Sequence, residues 1–279
     1  MIGALIIVFR EVIEAGLIIG IVLAATQRAP GSRLWIAGGT VAGIAGSAVV
    51  AGFMGAIASA FDGYGQELLN ASILATAVVM LTWHNVWMAR HGRALADEMF
   101  QAGRAVADGK KPLLALAVVV GIAVLREGSE VVLFLYGVAI SDGGSGLSLL
   151  AGGLLGLAFG GAVSALTYFG LLRIPTRHLF RVTSWLIALL AAGMAAQSVS
   201  FLEQAGVIEF LGHTVWNSSG LLSEKSITGR ILHTLVGYSE QPTALQLVAY
   251  LATLIVIFGL MRLLRPAAPG RPAASAAAE

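Results

Sequence analysis

The sequence predicts an all-α integral membrane protein of seven transmembrane helices, arranged as a 3+3 inverted repeat plus one C-terminal helix, with the N-terminus outside and the C-terminus inside. Three observations carry that prediction. Hydrophobic residues make up 57% of the 279 and charged residues only 11%, where a soluble domain carries about 25% charged residues; mean hydropathy is +0.86. Seven apolar stretches are long enough to cross a hydrocarbon core of roughly 30 Å. Thirteen of the 17 Lys and Arg fall in alternate connections between those stretches or in the tail.

The first span, 2 to 25, is interrupted near its middle by "REVIE", Arg10 to Glu14. With no positive segment before it, and with Arg28 and Arg33 after it, this stretch reads as a retained helix rather than a cleavable signal. The second span, 34 to 60, carries Gly39, Gly43, Ser47, Ala51, Gly55 and Ser59 at every fourth position. Small residues on one helix face let backbones approach closely in lipid, where apolar contact alone gives little driving force. The third span, 67 to 88, ends in "LTWHNVWMAR". There Trp83 and Trp87 read as membrane-belt residues, and His84 as an interfacial or hydrogen-bonded histidine rather than a ligand. The connection from 89 to 112 places Leu95, Met99 and Val106 near helical spacing among charges, which predicts a short surface helix at the inner leaflet.

The fourth span, 113 to 140, carries "REGSE", Arg126 to Glu130, and the fifth, 147 to 172, repeats Gly152, Gly156, Gly160 and Ser164. The order of motif helix followed by small-stripe helix thus occurs twice. That defines repeat one as 1–90 and repeat two as 112–203. Three spans is an odd number, so the second copy must be inserted upside down; substrate sites of such repeats lie near the midplane between the copies. The sixth span, 179 to 202, contains Gln197 and Ser198, expected to bond between helices or to line a path. An outer segment follows from 203 to 243, in which "SITGRILHTLVGY" has the pattern of an amphipathic helix. The last helix, 244–264, completes a seven-helix transmembrane domain of 1–264. The tail 265–279 is rich in Pro and Ala and is expected to be disordered on the cytoplasmic side.

Lys and Arg fall after spans one, three, five and seven, whereas only Lys225 and Arg230 lie on the opposite side. The positive-inside rule therefore puts the first set in the cytoplasm. Asp62, Glu67, Asp142, Glu203, Glu209, Glu224 and Glu240 gather on the outer side. They read first as solvated loop residues and second as a funnel that concentrates cations, with Glu224, Asp62, Glu67 and Asp142 as the candidate outer mouth. Nothing points to nucleic acid as a partner.

Residues three and four apart share a helix face. Glu11 and Glu14 project together, as do Glu127 and Glu130, and Arg10 and Arg126 each reach the second Glu of their own motif. One charge at the middle of a membrane helix costs about 2.5 to 3.5 kcal/mol even on the lenient scale. Three per helix is more than packing requires. Four Glu against two Arg leave a surplus of negative charge that a proton or a cation would complete. Carboxylate oxygens are hard ligands and cysteine is absent, which favours hard or borderline cations over soft ones; iron fits, and manganese or calcium fit on ligand type. A built-in di-iron redox centre calls for Glu-x-x-His ligands, and neither motif contains His.

The paired Arg-Glu-x-x-Glu motifs, seven spans, an outside N-terminus and the segment "LLSEKSITGRILHTLVGYSEQP" resemble the oxidase-dependent ferric iron permease family, of the bacterial inner (cytoplasmic) membrane type. The resemblance implies a transporter rather than an enzyme, without cofactor, with Fe3+ as the transported substrate. It implies Glu11, Glu14, Glu127 and Glu130 as the metal-binding residues, with Arg10 and Arg126 as ion-pair partners. It further implies an extracytoplasmic iron oxidase or peroxidase and an iron-binding protein as partners in a lipid membrane. Val12 departs from the Gly usual at that motif position. The rival readings are a permease for lead or manganese and a membrane-embedded carboxylate metalloenzyme.

Overall fold

The computed structural model describes residues 1–60, 65–142, 146–170, 176–224 and 226–264. The described residues form eight α-helices: α1 (Ile2–Ala25), α2 (Ser32–Ala60), α3 (Gln66–Ala107), α4 (Leu114–Asp142), α5 (Gly146–Tyr168), α6 (Thr176–Gln204), α7 (Ile227–Val236) and α8 (Ala244–Leu263). Five of them, α2, α3, α5, α6 and α8, contain stretches long and apolar enough to cross a membrane. α1 and α4 match them in length, with 24 and 29 residues, but each carries the three charges of its motif. Large apolar side chains point outward along α2, α5 and α8, with Val41 66%, Phe53 69%, Leu154 65% and Ile255 71% exposed. A surface of this kind needs an apolar solvent. The protein is an all-α integral membrane protein.

Polar groups are sequestered in the interior instead. α1 and α4 lie side by side at the centre, and α3 packs against both. α6 lies against α3 and α8, while α2 and α5 flank the centre as arms. Each arm packs on the motif helix of the other half, α2 on α4 and α5 on α1. The stripes of small residues explain why. A Cβ at Gly43 would lie 2.7 Å from the Gly121 carbonyl oxygen, and one at Gly156 would lie 2.7 Å from that of Leu5. Backbone meets backbone here, so the expected packing role of the stripes holds for these residues. Ser59 and the tail 265–279 fall among residues whose burial or structure is not described.

The 89–112 connection is not a separate surface helix. α3 continues without a break for 42 residues, to Ala107, because residues 93–107 are strong helix formers with no proline to stop them. Gly109, at φ 73°, turns the chain back. This extension is not merely superficial: Val106 is buried with Val22, Ile36, Leu116, Val120 and Val124 in an apolar cluster near the end of the bundle where α3 terminates. A second, larger cluster, including Ile7, Leu74, Phe134, Ile187 and Ile257, fills the bundle toward the opposite end. There α7 lies against α6 and the ends of α1 and α4. It is the amphipathic helix that the outer segment predicts, capped by the Ser226 hydroxyl, which accepts from the Gly229 amide at 2.9 Å, and ended by Gly237 at φ 68°.

Candidate functional site

The two motifs meet between the two apolar clusters. Arg10, Glu11, Glu14 and Glu127 are each no more than 2% exposed. Helical spacing puts Arg10 within reach of both its carboxylates: its guanidinium spans Glu11, at 3.2 Å, and Glu14, at 2.9 Å. This two-pronged grip uses the planar fork that Arg has and Lys lacks. Arg126 donates through Nε to Glu130 at 3.2 Å and lies 3.7 Å from Glu127. Unlike Arg10 it is 35% exposed, and its guanidinium sits over the Trp87 ring, 4.5 Å from the centroid. Cation–π contact offsets part of the cost of holding that charge in an apolar setting. Trp87 in turn stacks on His91, so of the two expected belt tryptophans only Trp83 faces outward.

The largest departure from the sequence reading is His84. It is 3% exposed, not interfacial, and α3 inserts it between the motifs. Its Nε2 lies 3.4 Å from Glu14 Oε2 and 3.9 Å from Glu11 Oε2; its Nδ1 contacts Glu130 Oε2. A histidine thus stands beside the carboxylates although neither motif contains one. The ring comes from a third helix, and "WHNVW" gives no hint of it beyond one polar pair in an apolar run. Asn85 supplied the missing signal. It is buried and donates to the Ser184 carbonyl oxygen on α6 at 3.1 Å, which turns this face of α3 inward.

Ligand atoms of Glu11, His84, Glu127 and Glu130 all lie within 4.8 Å of one another, and Glu14 adjoins them through His84. Glu11 Oε2, Glu14 Oε2, Glu127 Oε2 and His84 Nε2 are buried without a hydrogen-bond partner. Buried polar atoms are almost always partnered, so a convergent group of unsatisfied oxygens and nitrogens is suited to holding a cation. Glu11 and Glu127 also floor an apolar cleft of about 630 Å³ that opens between α2 and α5, walled by Val8, Val12, Ile44, Ala48 and Val131.

Val12, the departure from the usual motif, has a packing explanation. Gly160 of α5 lies against it, and a Cβ there would come 2.9 Å from Val12 Cβ. In the other half the small residue is on the motif helix, where Gly128 faces Ser47 of α2. The glycine has changed sides of the contact.

The candidate outer residues do not join the cluster. Glu67 is exposed in the first turn of α3, where a carboxylate suits the helix dipole. Glu224 is engaged with Glu240: each carboxylate accepts the other's backbone N–H, at 2.8 and 2.9 Å. Asp142 ends α4, with its side chain outside the described residues, and Asp62 lies outside them altogether. Ser198 donates to the Ala71 carbonyl oxygen at 2.8 Å, bonding helices rather than lining a path.

The chain matches the Iron permease FTR1 family over residues 1–266. It is 31% identical over 261 residues to a ferrous iron permease EfeU of Shigella sonnei, covering 91% of this chain and 94% of that protein. Against the ferrous iron permease EfeU of Yersinia pestis the identity is 30% over 254 residues, 89% of each chain. No solved structure matches. The motifs, the apolar helices that carry them and these likenesses agree: the chain belongs to the iron permease FTR1 family, and is a membrane transporter of iron rather than an enzyme.

Proposed function

We propose that this permease moves Fe3+ inward across the bacterial cytoplasmic membrane through a site of Glu11, Glu14, Glu127 and Glu130, with Arg10 and Arg126 as the ion-pair partners of those carboxylates. The observation that carries the reading is the convergence of both motifs on one buried, unsatisfied cluster. The ion is substrate. An extracytoplasmic oxidase or peroxidase forms it from Fe2+, and an iron-binding protein presents it at the α7 end, near Glu67 and Glu224.

We read the architecture as seven spans in two inverted copies, N-terminus outside. The exchanged packing of α2 on α4 and α5 on α1 supports this. So do two reciprocal bonds: Asn85 of α3 to the Ser184 carbonyl of α6, and Ser198 of α6 to the Ala71 carbonyl of α3. Arg28, Arg33, Arg104, Lys110 and Arg262 lie at or beside the helix ends opposite α7, which supports the sidedness. Apolar clusters beyond both ends of the charged site close it to water, and rocking of one copy against the other would open each side in turn.

The relatives carry the name ferrous iron permease, and His84 adds a nitrogen; both favour a second reading in which Fe2+ itself is moved. Radio-iron uptake into proteoliposomes separates the two. Uptake from Fe3+ citrate that persists without reductant supports Fe3+; uptake seen only with ascorbate supports Fe2+. In either case Glu11→Gln and Glu127→Gln should nearly abolish uptake at matched membrane expression. Normal uptake in either variant would reduce the motifs to structural ion pairs. Uptake of lead or manganese in preference to iron would overturn the choice of ion.

A further inference from the structure

We propose that His84 is a direct ligand of the transported ion, coordinating through Nε2, and that Glu130 serves to orient its ring, so that the site is one nitrogen with carboxylates rather than four equal carboxylates. The inference rests on the proposed ion site and refines its donor set.

A neutral imidazole offers one lone pair and one N–H, and the partner of one nitrogen decides which role the other takes. Glu130 is already committed: its Oε1 accepts from Arg126 Nε at 3.2 Å, and its Oε2 contacts Nδ1 of His84. A carboxylate held in this way accepts a hydrogen bond from Nδ1–H, which leaves the lone pair on Nε2 and turns it toward the other motif. Carboxylate–histidine–metal arrangements fix the ring of metal-bound histidines by the same means. Nε2 then faces Glu14 Oε2 at 3.4 Å and Glu11 Oε2 at 3.9 Å. Two ligands that share an ion at about 2.1 Å lie at most about 4.2 Å apart, so both distances suit one ion. Glu127 Oε2, buried and unpartnered, belongs to the same group.

A purely structural histidine should be satisfied by its surroundings. Here both nitrogens are buried among carboxylates: Nδ1 is taken up by Glu130, while Nε2, 3.4 Å from Glu14 Oε2, is left without a well-formed hydrogen bond. Nor is the ring demanded by the architecture. His84 directly precedes Asn85, and Gln197 directly precedes Ser198, the residue that makes the reciprocal bond. The corresponding position of the other half thus carries Gln, so the imidazole is a feature of one half alone. Nitrogen ligands strengthen the preference for iron over calcium and magnesium, which take oxygen.

The test uses the full chain in detergent, with Mn2+ as a paramagnetic probe and pulsed electron paramagnetic resonance as the readout. Wild-type protein should show 14N coupling from one imidazole, replaced by 15N coupling when the protein is labelled with 15N-histidine. His84→Gln should lose the coupling and bind Mn2+ and Fe2+ at least about tenfold more weakly, with unchanged metal-free melting. His84→Asn serves if Gln does not fold, and the labelling arm needs no variant. Bound Mn2+ that depends on Glu11 but shows no nitrogen coupling, or coupling that survives in the His84 variants, overturns the ligand role and leaves the carboxylate site standing. Mn2+ and Fe2+ binding that ignores Glu11→Gln, or no binding of either ion by the wild type, overturns both.

Discussion

The two motif helices carry the same Arg, Glu and Glu at the same spacing, yet they are seated differently. On α1, Arg10 is 2% exposed and grips both glutamates of its motif, and Val12 meets a glycine on the neighbouring arm. On α4, Arg126 is 35% exposed, is hydrogen-bonded to Glu130 alone and leans on Trp87, and Gly128 meets a serine. The same three charged residues therefore give one locked ion-pair cluster and one that is partly open. The cause lies outside the motifs, in α3, whose Trp87 draws the Arg126 guanidinium aside while His84 occupies the space between. For the proposed ion site this inequality means that Arg10 is fixed by two carboxylates, whereas Arg126 is held by one and by an aromatic face.

The comparison breaks first at the arginines. Arg10→Ala strands two buried carboxylates, and leaving one partner of a buried pair costs about 3 to 5 kcal/mol. It should abolish uptake and sharply lower the amount of folded protein, measured by fluorescence-detected gel filtration. Arg126→Ala, at a partly exposed position, should leave most of the folded protein and impair uptake. Equal losses of folded protein in the two variants would mean that both motifs are locked alike.

The glycine contact comes next. Gly128→Val forces a side chain into Ser47, and overpacking of this kind costs about 1 to 3 kcal/mol. Melting temperature and uptake should fall, and adding Ser47→Gly should restore much of both, since that pair would copy Val12 against Gly160. A double variant no better than the single would show that the two contacts are not equivalent.

Smaller is the effect at Trp87. Replacing it by Leu removes a cation–π contact of roughly 0.5 to 2 kcal/mol and frees Arg126. Uptake should change several-fold at most while stability shifts little, whereas Trp83→Leu, 70% exposed, should change neither. If Trp83→Leu matches Trp87→Leu, the difference between the helices owes nothing to Trp87.

Sidedness can be read with almost no effect on function. Cysteine introduced at Leu221, 94% exposed near α7, should react with an impermeant thiol reagent from outside. Cysteine at Arg104, on the α3 extension, should react only after the membrane is opened. The reverse pattern would invert the proposed orientation, and with it the face from which iron arrives.

Much of this was legible in the chain itself. The apolar runs determine that the protein lives in a membrane and crosses it as helices, because continuous runs of about 20 apolar residues span the hydrocarbon core as helices and lack the alternation of barrel strands. Spacing of three and four residues determines that each motif's carboxylates share a face, since that periodicity belongs to the helix and not to its neighbours. Small residues at every fourth position announce close helix contacts without saying with which partner. Tertiary structure alone decided that the arms exchange partners across the halves, that α3 runs on to bury Val106, and that His84 completes the charged cluster. A lone histidine between tryptophans reads the same whether it faces lipid headgroups or an ion. Which way it faces depends on the rotation of α3, and that is fixed by distant contacts such as Asn85 with Ser184 and Ser198 with Ala71, pairs that no local pattern in the sequence connects.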